Sequence, residues 1–196
     1  MDRAKQLRDS VQRAYSAAAE RPQDQHPFPV GRRFAESLGY PRDLLASLPT
    51  ISVDAFSGVS NVGVFGDIPL GVTVLDLGCG AGLDSLIAAR RVGPQAKAIG
   101  VDFSDTMLAR ARRAAAEAGV DNAEFHQADA ENLPIKDGLI DVTLVNGIFN
   151  LNPRRDAIFR ELARVTRQGG AVYAAELILH EPLPRELQEN ENNWFA

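Results

Sequence analysis

The sequence predicts an α/β fold, a parallel sheet of five strands wound on both faces by helices behind an N-terminal helical extension. Three observations predict it. Runs rich in β-branched and aliphatic residues at 73–77, 96–103, 123–127, 140–146 and 171–179 alternate with segments of helical period. The first run breaks into glycines at alternate positions, Gly78, Gly80 and Gly82, as a tight strand-to-helix turn requires. Finally, Asp76, Asp102, Asp129 and Asn146 stand at or just past the ends of the first four runs, and such a sheet gathers those ends on one rim where ligands bind.

Taken in order, 3–20 reads as an amphipathic helix, with Leu7, Val11, Ala14, Tyr15 and Ala18 at helical spacing. Its role is to pack on the main domain, or alternatively to hang Tyr15 over a ligand. Three prolines between Pro22 and Pro29 end it. One or two short helices follow within 34–48, and 51–70 has no clear period and reads as a loop covering a site. A helix over 84–92 stops at Gly93-Pro94. The next helix has Ser104 as N-cap, Asp105 in its first turn and Gly119 beyond its end. Asn152-Pro153 opens a further helix with proline in the first position and a buried stripe of Ile158, Phe159, Leu162, Ala163 and Val165. Gly169-Gly170 ends that helix and the fifth strand follows.

The totals narrow the function. At 196 residues the chain divides into an N-terminal extension and covering loop, 1–70, and a ligand-binding domain, 71–196. A net charge of −5 argues against a nucleic-acid partner, which a basic surface would serve. No run approaches the ~18 apolar residues of a membrane span, and the first residues lack the apolar core of a signal peptide. The single cysteine, Cys79, cannot form an internal disulfide, so the cytoplasm is the expected compartment.

The glycine spacing selects among ligands. It is Gly-x-Gly-x-Gly after Asp76, and not the Gly-x-Gly-x-x-Gly that seats a pyrophosphate on a helix. An acid ahead of the turn repels phosphate and attracts a cationic amino group. Asp102 can accept hydrogen bonds from two ribose hydroxyls, and Phe103 offers an apolar face to a base. Asn146 and Asn150 either line the site or satisfy local backbone. Cys79 reads as a small turn residue with no partner that would activate it.

Residues 76–82, 101–104 and 127–134 together resemble the successive motifs of class I S-adenosylmethionine-dependent methyltransferases, which have a Rossmann-like doubly wound sheet. The resemblance implies S-adenosylmethionine as cofactor, with Asp76, Gly78, Cys79, Gly80 and Gly82 around the methionine moiety. It further implies Asp102 at the ribose, with Phe103 beside it, Asp129, Ala130 and Met107 at adenine, and Asn146 near the methionyl end. A small-molecule methyl acceptor would enter beneath the N-terminal helix, near Tyr15, Phe149 and Asn150. Residues 38–49, 89–94 and 146–151 are more narrowly similar to the arsenite methyltransferase-related branch and its ubiquinone-methyltransferase-like neighbours. That branch binds trivalent arsenic through several cysteine thiolates, whereas this chain has only Cys79, so arsenite is not the expected acceptor. The family also continues past its fifth strand with a helix and an antiparallel strand pair, so truncation is expected at Ala196, or else a second copy covers the fifth-strand edge. Two other readings are a cofactor-binding protein without independent catalysis and a nicotinamide-dependent oxidoreductase, the latter disfavoured by the glycine spacing and Asp76.

Overall fold

The structure, a computed structural model, describes residues 3–181. The tail or terminal helix expected over 186–193 lies outside the described residues. The N-terminal part comprises α1 (Arg3–Glu20) and the short helices α2 (Arg32–Ser37), α3 (Arg42–Ala46), α4 (Thr50–Val53) and α5 (Val62–Phe65). Next come β1 (Val74–Leu77), α6 (Leu83–Val92), β2 (Ala98–Asp102), α7 (Asp105–Ala118), β3 (Ala123–Gln127), β4 (Ile140–Asn146), α8 (Arg155–Val165) and β5 (Thr166–Ala175). The strands form one parallel sheet in the order β3-β2-β1-β4-β5. This is the Rossmann-like architecture the sequence predicts.

The central strand β1 is buried on both faces, which is why its residues show no polar alternation except at Asp76. The period of two assigns its side chains. Val74 packs with Ala88, Ala89 and Val92 of α6, while Leu75 and Leu77 pack with Ile158, Leu162 and Val165 of α8. Asp76 therefore faces α6. The α7 caps behave as their residues dictate: Ser104 Oγ accepts the Met107 N–H at 3.3 Å, and Gly119 ends the helix with φ +61°.

Four expectations need correction. Residues 51–70 are not a loop throughout. They include most of α4 and all of α5, anchored by the buried Val53, Phe56, Val62 and Ile68, because a segment of that apolar content packs rather than hanging in water. The helix after Pro153 starts later, at Arg155, because the Asn152 side chain accepts the Arg154 N–H at 2.8 Å and turns the chain first. Within α8, Phe159 and Ala163 point outward, and Ala157 takes a place in the buried stripe with Ile158, Leu162 and Val165. Phe159 instead stacks on Phe149 at 4.8 Å. The fifth strand begins at Thr166 and ends at Ala175, running through Gly169-Gly170. The register passes from Ile140↔Thr166 to Val142↔Ala171, so the glycines occupy a bulge inside β5 rather than a break before it.

Candidate active site

The turn from β1 into α6 has left-handed backbone at Gly78 (φ +75°), Gly80 (φ +51°) and Gly82 (φ +83°). At Gly78 the need for glycine is double, since a Cβ there would also run into Ile148. The turn is strapped to β2 by Asp102, whose carboxylate accepts the Gly80 N–H at 2.9 Å and the Ser104 N–H at 2.8 Å. Burial outweighs these donors and pushes the Asp102 carboxyl up to about 6.

Behind the turn lies a second acidic centre. Asp76 is buried and accepts the Ser85 hydroxyl at 2.5 Å. Burial, followed by the nearby Asp84, pushes its carboxyl up to about 8. Asp84, also buried, accepts the Tyr40 hydroxyl at 2.6 Å, the Gly63 N–H at 3.2 Å and the Asn146 amide at 3.0 Å, and burial raises it as well. Two carboxylates in one dry region cannot both ionise cheaply, so the pair retains a proton near neutrality. A bound cation reverses that balance. Burial also raises the Cys79 thiol well above its ordinary value, so it stays protonated and is a poor nucleophile.

These groups line a cavity of about 680 Å³ at the carboxyl edge of the sheet. Its floor comes from 76–81 and the ends of β2 and β3, one wall from 146–148 at the end of β4, and another from Ser52 and 55–58. Its cover is α1, which presents Arg8, Gln12 and Tyr15. Three polar ties hold that helix down: Arg8 to Glu131 at 3.2 Å, Gln12 to the Phe103 carbonyl at 3.3 Å, and Ser16 to Ser104 at 3.0 Å. Tyr15 stacks on Phe28 at 4.4 Å while still facing the cavity.

Among the residues expected at the site, Asp76, Gly78, Cys79, Gly80, Asp102, Phe103, Asp129, Ala130, Asn146 and Tyr15 stand in the cavity lining. Four do not. Gly82 caps α6 and abuts Ala111 of α7. Met107 is fully buried in the cluster of Ala18, Ala19, Phe28, Ala55 and Ala81, and does not reach the cavity surface. Phe149 is drawn away by Phe159, and Asn150 turns to Glu176 and the Leu177 carbonyl. Sequence reasoning passed over Asp84, Ser85 and Tyr40, which hold the buried end of the cavity. The signal for Asp84 was its place directly after the glycine turn, where an acid in the first helical turn reads as a dipole partner. Glu131 was passed over as well, although it pairs with Arg8 and with Arg154 at 3.3 Å.

Among the described residues, no group of three or more His, Cys, Asp or Glu side chains has metal-binding geometry, and no helix is long and apolar enough to cross a membrane. The sheet order, the glycine turn and the acids at successive strand ends define a Rossmann-like fold of the methyltransferase type. A family model described as a methyltransferase domain matches residues 70–195, and the chain belongs to that family. Among its relatives, an arsenite methyltransferase of Halobacterium salinarum is 36% identical over 154 residues, covering 79% of this chain and 39% of the relative. A demethylmenaquinone methyltransferase of Lactococcus lactis is 36% identical over 114 residues, covering 58% of this chain and 45% of the relative. The solved arsenic(III) S-adenosylmethionine methyltransferase of Chlamydomonas reinhardtii superposes with a TM-score of 0.63 at 25% identity, over 84% of this chain and 56% of that one. The chain thus spans less than half the length of these two curated relatives.

Proposed function

We propose that the chain binds S-adenosylmethionine and transfers its methyl group to a small-molecule acceptor by in-line displacement. The observation that carries this reading is the cavity itself. It has a glycine turn that leaves no room for a Cβ at Gly78, with buried carboxylates on either side at Asp76 and Asp102. The fit follows from charge and shape. Asp76 suits a ligand ammonium, and the backbone of 78–80 is bare enough for close approach. Each Asp102 oxygen keeps a lone pair for a ribose hydroxyl after its backbone N–H is counted. Phe103, Asp129 and Ala130 line the same cavity and are available to an attached base.

When bound, the cofactor supplies a methyl group already activated on a sulfonium. The protein's task is then alignment and exclusion of water. The α1 cover and the 55–58 wall exclude water, and no residue of the cavity needs to act as a general base. Residues 1–70 serve as the covering part and 71–196 as the methyltransferase domain. Arsenite, the substrate in the names of several relatives, is not the acceptor this reading favours. Cys79 is the only cysteine of the chain, and its thiol is held protonated. The proposed compartment is the cytoplasm. The exposed Val172 on β5, and Leu177, Ile178 and Leu179 just past it, support a second copy covering that edge, which light scattering tests.

Incubation with methyl-labelled S-adenosylmethionine and a panel of quinols, thiols, amines and arsenite tests the reading. Labelled product from one organic acceptor supports it. Cofactor binding without any turnover would leave a binding protein, and labelled methylarsenical would contradict the argument from Cys79.

A further inference from the structure

Asn146, the last residue of β4, lines the cavity, yet its amide is spent entirely within the protein. Oδ1 accepts the Val59 N–H at 2.8 Å and the Ser60 N–H at 3.1 Å. Nδ2 donates to the Ser60 carbonyl at 2.8 Å and to Asp84 Oδ2 at 3.0 Å, with the Tyr40 hydroxyl oxygen at 3.4 Å. Two lone pairs and two hydrogens are the whole inventory of a carboxamide, so no capacity is left for a ligand. The orientation of the amide is equally determined. Reversed, its NH2 would meet two N–H donors and its oxygen would face a carboxylate and a carbonyl.

We propose that Asn146 is a positioning residue whose amide clips the 58–60 segment across the cavity, fixing the wall that Ala55, Phe56, Ser57 and Gly58 present to the ligand. On the function proposed above, on which this inference rests, that wall bounds the acceptor end of the site, and Asn146 acts through it rather than on the cofactor. Close packing at the clip supports this. A Cβ on Gly58 would lie 2.6 Å from Asn146 Cγ, and one on Gly147 would lie 2.8 Å from Val59 Cγ1, so each glycine leaves the room that the facing side chain fills. The segment is held at both ends by the buried Phe56 and Val62. Between them, the polar tie of 58–60 to the rest of the fold is the Asn146 amide; the Tyr40 hydroxyl lies 3.2 Å from the Ser60 carbonyl, but its one hydrogen goes to Asp84 at 2.6 Å.

Hydrogen exchange on the full chain tests the clip, with S-adenosylhomocysteine binding as the second readout. Asn146→Ala is expected to lower protection of the Val59 and Ser60 amides about tenfold or more. The amides of Leu75 and Ile99 in the core strands, and the affinity for S-adenosylhomocysteine, should stay within about threefold. In Asn146→Asp, the introduced carboxyl has one hydrogen to give, to the Ser60 carbonyl or to Asp84, and only when protonated; ionised, it stands against both acceptors. Protection at 59 and 60 should then fall as pH rises through its titration, a dependence that a merely structural role would not give. Gly58→Ala, which pushes the amide aside while Asn146 remains, should show the same local signature and decides the matter if Asn146→Ala fails to fold. Loss of S-adenosylhomocysteine affinity in Asn146→Ala with protection at 59 and 60 intact would overturn the proposal and make Asn146 a cofactor ligand. An even loss of protection across 59, 60, 75 and 99 would overturn it too. A wild-type chain that binds no S-adenosylhomocysteine sinks the proposed function, while the exchange data still report on the clip.

Discussion

Binding of a cationic ligand should release a proton from the Asp76 and Asp84 centre. Asp76 is pushed up to about 8, first by burial and then by the Asp84 carboxylate. At pH 7 such a group is mostly protonated. A ligand ammonium or sulfonium favours the carboxylate, so S-adenosylmethionine should displace close to one proton per molecule at pH 7 and progressively fewer above pH 8. Below pH 8 the affinity should improve by up to about tenfold per pH unit from this group alone. The assay is calorimetric titration at pH 7 in two buffers of different ionisation enthalpy, whose heats differ in proportion to the protons released. Asp76→Asn should abolish the difference and weaken binding. Equal heats in the two buffers, together with an affinity flat from pH 6 to 8, would refute the reasoning.

The same groups set the pH dependence of folding. Their folded pKa values are raised, so their contribution is full below the unfolded value of 3.8 and is lost as pH rises through about 6 for Asp102 and about 8 for Asp76. The carboxylates that are lowered, such as Glu161 beside Arg164, finish titrating below this window. The ligand-free chain should therefore melt at a lower temperature at pH 8.5 than at pH 5.5, with a smaller difference in Asp76→Asn; a rising or level profile would contradict this. Gly78→Ala combines left-handed backbone with a collision at Ile148 and should cost about 1–3 kcal/mol and abolish cofactor binding, read by thermal melts and titration. Asn122 Nδ2 shares its two hydrogens among the Ala89, Gly93 and Ala96 carbonyls at 2.9, 3.0 and 3.1 Å, at the edge of the sheet opposite the cavity. Asn122→Ala should lower stability by about 1–3 kcal/mol while leaving cofactor affinity unchanged. Glu131→Gln breaks the ion pairs to Arg8 and Arg154, and should cost under about 1 kcal/mol while speeding proteolysis within α1.

Much of the fold was legible because its signals are local. The strands at 123–127 and 140–146 appear with the bounds read from composition, and Ser104 and Gly119 cap α7 as their chemistry dictates. The rim acids were legible because a parallel sheet leaves strand ends no other place to go. What escaped depends on contacts between distant segments. Phe159 is as apolar as its neighbours, and only the stack with Phe149 sends it outward. Met107 lies within reach of the glycine turn but is buried in the cluster beneath α1, a distinction of depth that spacing does not encode. The Gly169-Gly170 pair looks like a helix stop, while pairing with β4 absorbs it as a bulge. Asn146 was read as either a site residue or a backbone partner. The choice between them rests on Val59 and Ser60, more than eighty positions earlier in the chain.

The central claim is that the cavity beneath α1 is an S-adenosylmethionine site. A crystal structure of the chain grown with S-adenosylhomocysteine tests it most directly. The account predicts density along the glycine turn, with the ligand ammonium towards Asp76, the ribose hydroxyls on Asp102 and the base between Phe103 and Ala130. An empty cavity in crystals of the folded chain, or ligand bound outside it, would contradict the account.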